Sequence, residues 1–177
     1  TLLPNGHRRT EGTIDTPKGE LTYATEWDPV SNTAWTLKYP VETDADVEKI
    51  VSVPWELPAD LAPPDAETAA RVGDGRAIVA TRISSPMVCV GGMMSYEAFL
   101  ELCATRLELV LELTEICRRR VMSCLEVLLS RPGIEYVWIG GSEWVTPPMA
   151  SPRIYDALVQ EQERCMIDYV HRHARGA

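Results

Sequence analysis

The residues best suited to chemistry form a short segment, Gly140-Gly141-Ser142-Glu143, directly after an apolar run with the character of a buried strand. Glycines let the backbone approach a ligand closely, and a carboxyl group at a strand end can donate a proton, orient a ligand or bind a metal. We take Glu143 as the candidate catalytic residue. The alternative is that Glu143 is a solvated loop carboxylate. The candidate substrate contacts around it are Gly140, Gly141, Ser142 and Trp144.

A second glycine pair begins the segment Gly91-Gly92-Met93-Met94. Two methionines in a loop offer a soft apolar wall for a flat ligand, although methionine also fills gaps in protein cores. Gly91, Gly92 and Met93 are therefore further candidate substrate contacts. The alternative is that Met93 and Met94 are core residues.

Other motifs point away from several chemistries. The chain contains no GxGxxG segment opening a helix and no GxxxxGK[ST] segment, so a dinucleotide fingerprint and a P-loop are excluded. Ser85 has no GxSxG context, which argues against a hydrolase nucleophile elbow. His171 and His173 lie two residues apart near a helix end, where their rings would point in different directions. We therefore predict no metal site from these residues.

The cysteines indicate packing rather than reactivity. The five cysteines form no CxxC pair. Cys103, Cys117 and Cys124 are separated by multiples of seven residues, which places them on one stripe of a helix with apolar neighbours. We interpret them as small core residues.

The elements that must position these groups follow from turn, cap and periodicity signals. Residues 1–75 hold eight of the 13 prolines and most of the net negative charge, and we expect an irregular segment there, containing a β-hairpin and short helices. Residues 76–177 read as alternating strands and helices. The predicted elements are a hairpin over Gly12–Trp27, a strand over Thr33–Val41, a helix from Thr43 to about Val53, a helix over Asp65–Val72, a strand over Arg76–Ser84, a helical region over Tyr96–Ser130 with a break near Ala104, a strand over Ile134–Ile139 and a helix from Ser151 to about His173.

Alternating strands and helices predict a parallel sheet, either doubly wound or closed into a barrel. In both architectures the ligand lies at the carboxyl ends of the strands. The two loops predicted there, Ser85–Met94 and Gly140–Ala150, contain all the candidate residues above. Function is therefore expected at one edge of the sheet.

Length and charge narrow the class of protein. The chain has 177 residues and a formal net charge of −9, which disfavours nucleic acid and anionic membrane surfaces as partners. No apolar run approaches the length of a membrane span, and Thr1–Gly12 lacks the apolar segment of a secretory signal. We expect a cytoplasmic protein.

Three segments of the chain stand in a recognisable order: Ile83-Ser84-Ser85-Pro86, Gly133 through Glu143, and Pro147 through Asp156. Taken together, they resemble the uroporphyrinogen decarboxylase superfamily, which contains porphyrinogen decarboxylases and corrinoid or thiol methyltransferases. An earlier stretch, Thr16–Leu21 with Tyr39-Pro40-Val41, is similar to the methyltransferase-like branch of that superfamily.

The resemblance implies a (β/α)8 barrel, in which Glu143 matches an acidic residue at a strand end. Such a barrel takes about 250 residues, so this chain would supply an incomplete set of its parallel βα units. The arginine-rich motif and catalytic aspartate segment of the decarboxylases have no counterpart here. The chain ends before the His-x-Cys zinc motif of the methyltransferases would be reached.

The resemblance implies a parent enzyme that decarboxylates a tetrapyrrole or transfers methyl groups with a corrinoid or a thiol. No cofactor is evident from this chain, and zinc or cobalamin would belong to a methyltransferase parent. The alternative is a non-catalytic α/β domain that completes its sheet by oligomerisation, since an open sheet edge favours pairing between copies. In either case we expect a homo-oligomer.

Overall fold

The computed structural model describes residues 1–59, 61, 70–71, 79–130 and 134–173. The chain divides into two compact units. The first comprises Thr1–Pro54 and Gly91–Glu101, and the second comprises Trp55–Val90 and Leu102–Ala177. The boundary that composition suggests, near residue 75, falls outside the described residues.

The first unit contains an antiparallel sheet in the order β1-β2-β3. Its strands are β1 (Arg8–Thr16), β2 (Gly19–Asp28) and β3 (Thr33–Lys38). The predicted hairpin is confirmed, with Thr16 opposite Gly19 in the register and Gly19 at a φ of +120°. A left-handed φ of this kind suits glycine because it has no Cβ, which explains why the turn forms here.

Helix α1 (Asp44–Val51) follows the sheet and begins at the predicted capping box. The Thr43 side chain accepts a hydrogen bond from the Asp46 N–H, and the Asp46 carboxylate accepts one from the Thr43 N–H at 3.1 Å. These bonds satisfy backbone donors that have no partner within the helix. Val47 is buried and anchors the helix in its unit.

The second unit contains a parallel pair of strands, β4 (Val79–Ser84) and β5 (Ile134–Gly140). The parallel pairing predicted from the βα alternation is thus confirmed, and the fold is mixed α/β. Residues 76–78, where β4 was expected to begin, lie outside the described residues. Both strands end at the same edge, because Ser84 is opposite Gly140 in the register.

The helices account for most of the remaining described chain. The predicted break near Ala104 is found at Arg106, between two helices. In chain order they are α2 (Pro86–Gly91), α3 (Tyr96–Thr105), α4 (Leu107–Leu129), a short 3-10 helix (Ser142–Val145), α5 (Pro152–Tyr155), a π-helical turn (Asp156–Gln160) and α6 (Glu161–His173).

Helices α4 and α6 cover one face of the parallel pair. Ile83 of β4 packs in a buried cluster with Leu125 of α4 and Met166 of α6, and Val137 and Ile139 of β5 pack against that cluster. Full burial of a side chain such as Leu125 contributes roughly 1.5–3 kcal/mol to stability. This apolar layer fixes the strand ends relative to the two helices.

The structure corrects the prediction of a loop over Ser85–Met94. Residues Pro86–Gly91 form helix α2, and the Cys89 N–H donates to the Ser85 carbonyl at 3.3 Å. The segment lacks a polar face, so periodicity gave no helix signal. The buried side chains of Met87 and Val90 hold it helical instead. The helix predicted over Asp65–Val72 and the stop signal at Arg131–Gly133 fall outside the described residues, apart from Ala70 and Arg71.

Cys103 and Cys117 are buried, as the stripe predicted, while Cys124 is half-buried. Burial raises the pKa of Cys103 to about 11 and that of Cys117 to about 12. Both therefore remain uncharged thiols at neutral pH. Among the described residues, no helix is both long and apolar enough to cross a membrane.

Candidate functional site

The candidate site lies where β4 and β5 end. The Ser85 N–H donates to the Gly140 carbonyl at 2.9 Å, which extends the parallel ladder by one step beyond β4. Two chain segments therefore leave the sheet side by side. One enters α2 and the other enters the 3-10 helix that begins at Ser142.

Gly141 makes the second of these exits possible. Its φ is +108°, which side chains rarely adopt, and a Cβ at this position would overlap the Val88 side chain. The backbone can therefore turn sharply out of β5 only with glycine here. The neighbour that requires glycine here is Val88, while the close approach of a ligand to the glycine pair stays a prediction.

Glu163 of α6 contributes a carboxyl group to the same place. Burial raises the pKa of Glu163 above the usual 4.5, and the nearby charge of Glu143 raises it further. The hydroxyls of Ser85 and Ser142 act in the opposite direction, because they favour the ionised form. Burial outweighs the hydroxyls, so the carboxyl keeps its proton to a higher pH than an ordinary glutamate.

Two buried oxygens at this site have no hydrogen-bond partner. Ser85 is 0% exposed, and its Oγ makes no bond of normal geometry although it faces the Glu163 carboxyl. The Oε1 atom of Glu163 is also buried and unpartnered. Because an unsatisfied buried polar group costs about 1–3 kcal/mol, a bound polar molecule here would be stabilised by both groups.

The candidate residues after β5 are brought together by the structure. Glu143 lies exposed in the 3-10 helix, close enough for its charge to act on Glu163. The Trp144 side chain is half-buried, and the backbone N–H of Trp144 donates to the Gly141 carbonyl at 3.2 Å. Gly140, Gly141 and Ser142 form the exit from β5.

The other candidates, Gly91, Gly92 and Met93, belong to the first unit. Gly91 is the last residue of α2, and the Met93 carbonyl accepts a hydrogen bond from the Val41 N–H at 3.0 Å. Met94 is buried, in agreement with the core alternative for the methionines.

Sequence reasoning missed Glu163 and gave Ser85 no role. Glu163 lies four residues after Val159 and three before Met166, both fully buried. An acidic residue on the buried stripe of an amphipathic helix is unusual. That signal was present in the sequence, but nothing in the sequence placed the helix against Ser85, 78 positions earlier.

The donor set of the site is two carboxyls and two hydroxyls. Zinc prefers sulfur and imidazole ligands, and within the described ranges no group of three or more His, Cys, Asp or Glu residues is arranged to hold a metal ion. His173 packs on Tyr169 at the end of α6, and its Nδ1 is 2.8 Å from the Tyr169 carbonyl oxygen. The two carboxyls and two hydroxyls of the candidate site do not fit a zinc site.

Comparisons with protein-family models, with curated proteins and with solved structures found no match to this chain. The site must therefore be interpreted from its own geometry.

Proposed function

We propose that this chain is part of a uroporphyrinogen decarboxylase-like (β/α)8 barrel enzyme, whose ligand binds at the carboxyl ends of β4 and β5. Three features support the proposal. The strands are parallel, helices cover one face of the pair, and polar groups from three separate segments meet beyond the strand ends. In parallel α/β proteins this edge is where ligands bind.

The observation that carries the proposal is the Glu163 carboxyl, half-buried beside Ser85 and Ser142 with one oxygen unpartnered. A carboxyl whose pKa is raised keeps its proton to a higher pH than an ordinary glutamate, and a general acid must carry a proton to donate. Glu143, exposed beside it, would orient the ligand or relay a proton from solvent. The roles of acid and orienting group are thus divided between two carboxyls.

The same acid suits either reaction of the resembled superfamily. In a decarboxylation, the bond between carbon and carboxylate breaks, carbon dioxide leaves, and the electron pair left on carbon takes a proton, which Glu163 would supply. In a methyl transfer from a methylated thiol, the carbon–sulfur bond breaks as the methyl group passes to a corrinoid, and Glu163 would give its proton to the thiolate that leaves. The tetrapyrrole, corrinoid or thiol would lie against Gly140, Gly141 and Ser142.

A second candidate function is a non-catalytic α/β domain that completes its sheet with another copy. The observation in its favour is that the parallel sheet has only two strands in the described part of the chain. Its uncovered face also carries the exposed rings of Tyr136 and Trp138. Exposed strands and aromatic rings of this kind favour self-association.

A ligand titration separates the two candidates. The purified chain is titrated with uroporphyrin, the coloured oxidised form of the porphyrinogen, and separately with hydroxocobalamin, and the absorbance spectrum is followed. The proposal predicts a saturable spectral change with one of them. Glu143→Gln and Glu163→Gln should each change the midpoint of the titration several-fold, because the first removes a negative charge from the site and the second removes an ionisable proton.

Glu126→Gln is the matched control, because Glu126 is an exposed residue of α4 and should leave the titration unchanged. Sizing chromatography over a range of protein concentrations completes the test. Absence of a saturable change with both ligands, together with a concentration-dependent dimer, would refute the enzyme proposal and support the second candidate.

A further inference from the structure

The face of the parallel pair opposite α4 and α6 is exposed and carries aromatic and cationic side chains. Burial alternates along β5, where Tyr136 is 55% and Trp138 is 40% exposed while Val137 and Ile139 pack on the core. Arg82 of β4 is exposed on the same face. Alternation of this kind places one set of side chains on each side of a strand.

Arg82 and Trp138 form a stack with the backbone of Gly140. Arg82 is opposite Trp138 in the strand register, and its guanidinium carbon lies 4.3 Å from the centroid of the indole ring. A Cβ on Gly140 would overlap the Trp138 ring, so the indole lies against the backbone of Gly140. The ring is thus held from one side by backbone and contacted by the cation. Such an arrangement fixes two exposed side chains in place before any ligand binds.

We propose that this face binds a small planar anion, an aromatic carboxylate being the class that fits, on a platform formed by Arg82, Trp138 and Tyr136. A guanidinium stacked on a ring keeps its in-plane N–H groups, and these match a carboxylate in a two-pronged geometry. The exposed rings of Trp138 and Tyr136 supply flat apolar contact. The ligand is therefore recognised by its charge and its flatness together.

Two other arginine–tryptophan contacts in the chain lack these features. Arg8 lies 5.2 Å from the Trp27 ring and Arg120 lies 5.5 Å from the Trp55 ring, both longer than the contact at Trp138. The Trp27 indole N–H donates to Asn32, and that of Trp55 donates to Ser123. Acidic residues adjoin Trp27 in the sequence, which disfavours an anion there.

The inference goes beyond the proposed function, because it rests on the exposed sheet face and not on Glu163 or on any reaction. Failure of the platform would leave the Glu163 site untouched. Because uroporphyrin is itself a planar polycarboxylate, variants tell the two sites apart: binding at the Glu163 site responds to Glu163→Gln, and binding at the platform responds to Arg82→Gln.

The experiment uses 2,6-naphthalenedicarboxylate as the planar dianion. The neutral and cationic analogues of the same shape are 2,6-bis(hydroxymethyl)naphthalene and 2,6-bis(aminomethyl)naphthalene. Indole N–H signals of the five tryptophans are followed by nitrogen-15 NMR and assigned by single Trp→Phe variants. The dicarboxylate should shift the Trp138 signal in a saturable manner and bind about tenfold more tightly than the neutral analogue, as expected of a charge-assisted contact. The Trp27 and Trp55 signals should stay in place.

Arg82→Gln should remove the preference for the dicarboxylate, and Arg82→Lys should restore only part of it because lysine lacks the planar fork. Arg8→Gln changes the net charge of the chain equally and should have no effect. The proposal is overturned if Trp138 does not respond, if the cationic analogue binds as well, or if Arg8→Gln weakens binding as much as Arg82→Gln. A dispersed spectrum for each variant shows that it is folded.

Discussion

Carboxyl groups lie beside hydroxyl groups in both units, but their pKa values are lowered in the first unit and raised in the second. In the first unit, hydrogen bonds from Ser31 lower the pKa of Asp28, and a hydrogen bond from Thr43 is the largest of the effects that lower the pKa of Asp46. In the second unit, the pKa of Glu163 is raised although Ser85 and Ser142 face its carboxyl. A neighbouring hydroxyl therefore does not by itself decide whether the pKa of a carboxyl group is lowered or raised.

The difference lies in geometry and burial. Ser31 Oγ donates to Asp28 at 2.8 Å, and Thr43 Oγ1 donates to Asp46 at 2.8 Å, so each carboxylate is satisfied. The Glu163 carboxyl is partly withdrawn from water while its Oε1 stays unpartnered. Satisfied carboxylates stabilise a fold, whereas an unsatisfied carboxyl is held at some cost and is available for a ligand. The contrast separates the acids that stabilise the fold from the one that we propose binds a ligand.

The largest effect on stability is expected at Gly141, where the backbone turns out of β5 in the second unit. Gly141→Ala combines a strained left-handed φ with overlap on Val88, and should destabilise the fold by about 3 kcal/mol. Gly6→Ala is the matched control in the first unit. Its φ is +82°, but a Cβ there would meet nothing within 4 Å, so strain alone should cost about 1 kcal/mol. Thermal unfolding of both variants measures the difference.

Val88→Ala added to Gly141→Ala should recover part of the loss, since it removes the atoms that overlap. Equal destabilisation by Gly141→Ala and Gly6→Ala would contradict the close packing of Gly141 on Val88.

An intermediate effect is expected at the satisfied acid of α1. Thr43→Ala should cost about 1 kcal/mol at pH 7, because it removes the cap of the helix and the hydroxyl that binds Asp46. The folded pKa of Asp46 lies below 3.8, so its contribution is present above pH 3.8 and is lost as the pH falls through the folded pKa. Unfolding at pH 7 and at pH 2.5 should show the loss shrinking at the lower pH. A larger loss at pH 2.5 would contradict the pairing.

A smaller effect of opposite sign is expected at Glu163. A carboxyl whose pKa is raised by folding costs stability as the pH rises through its ordinary value of 4.5, because the folded chain then binds more protons than the unfolded chain. Glu163→Gln removes this titration. The melting temperature of the variant, relative to the parent chain, should be higher at pH 8 than at pH 4. Glu126→Gln should show no such trend, and a gain confined to pH 4 would exclude a raised pKa.

Local signals in the sequence predicted much of the fold. Turn residues defined the hairpin at Gly19, a threonine three residues before an aspartate defined α1, and Ser151 with Pro152 defined the start of the last helical region. Each of these depends on a few neighbouring residues. Helix α2 was missed because its stability comes from burial of Met87 and Val90, which depends on distant parts of the chain.

The candidate site was only half predicted, for the same reason. Glu143 and the glycines follow β5 directly, so a strand ending in glycines identified them. Glu163 reaches the site because α6 packs with Ile83 in the core, and the sequence does not specify that contact. Its position on the buried stripe of α6 was a usable signal. What it faces could be learned only from the structure.

The most direct test of the account is the titration of Glu163 itself, followed by carbon-13 NMR of its carboxyl group, with the signal assigned by Glu163→Gln. We expect a midpoint above 4.5. Glu143→Gln should lower it by removing a neighbouring negative charge, and Ser142→Ala should raise it by removing a hydroxyl. A midpoint at or below 4.5, or one that neither variant moves, would contradict the claim that burial raises the pKa of the carboxyl beyond the ends of β4 and β5.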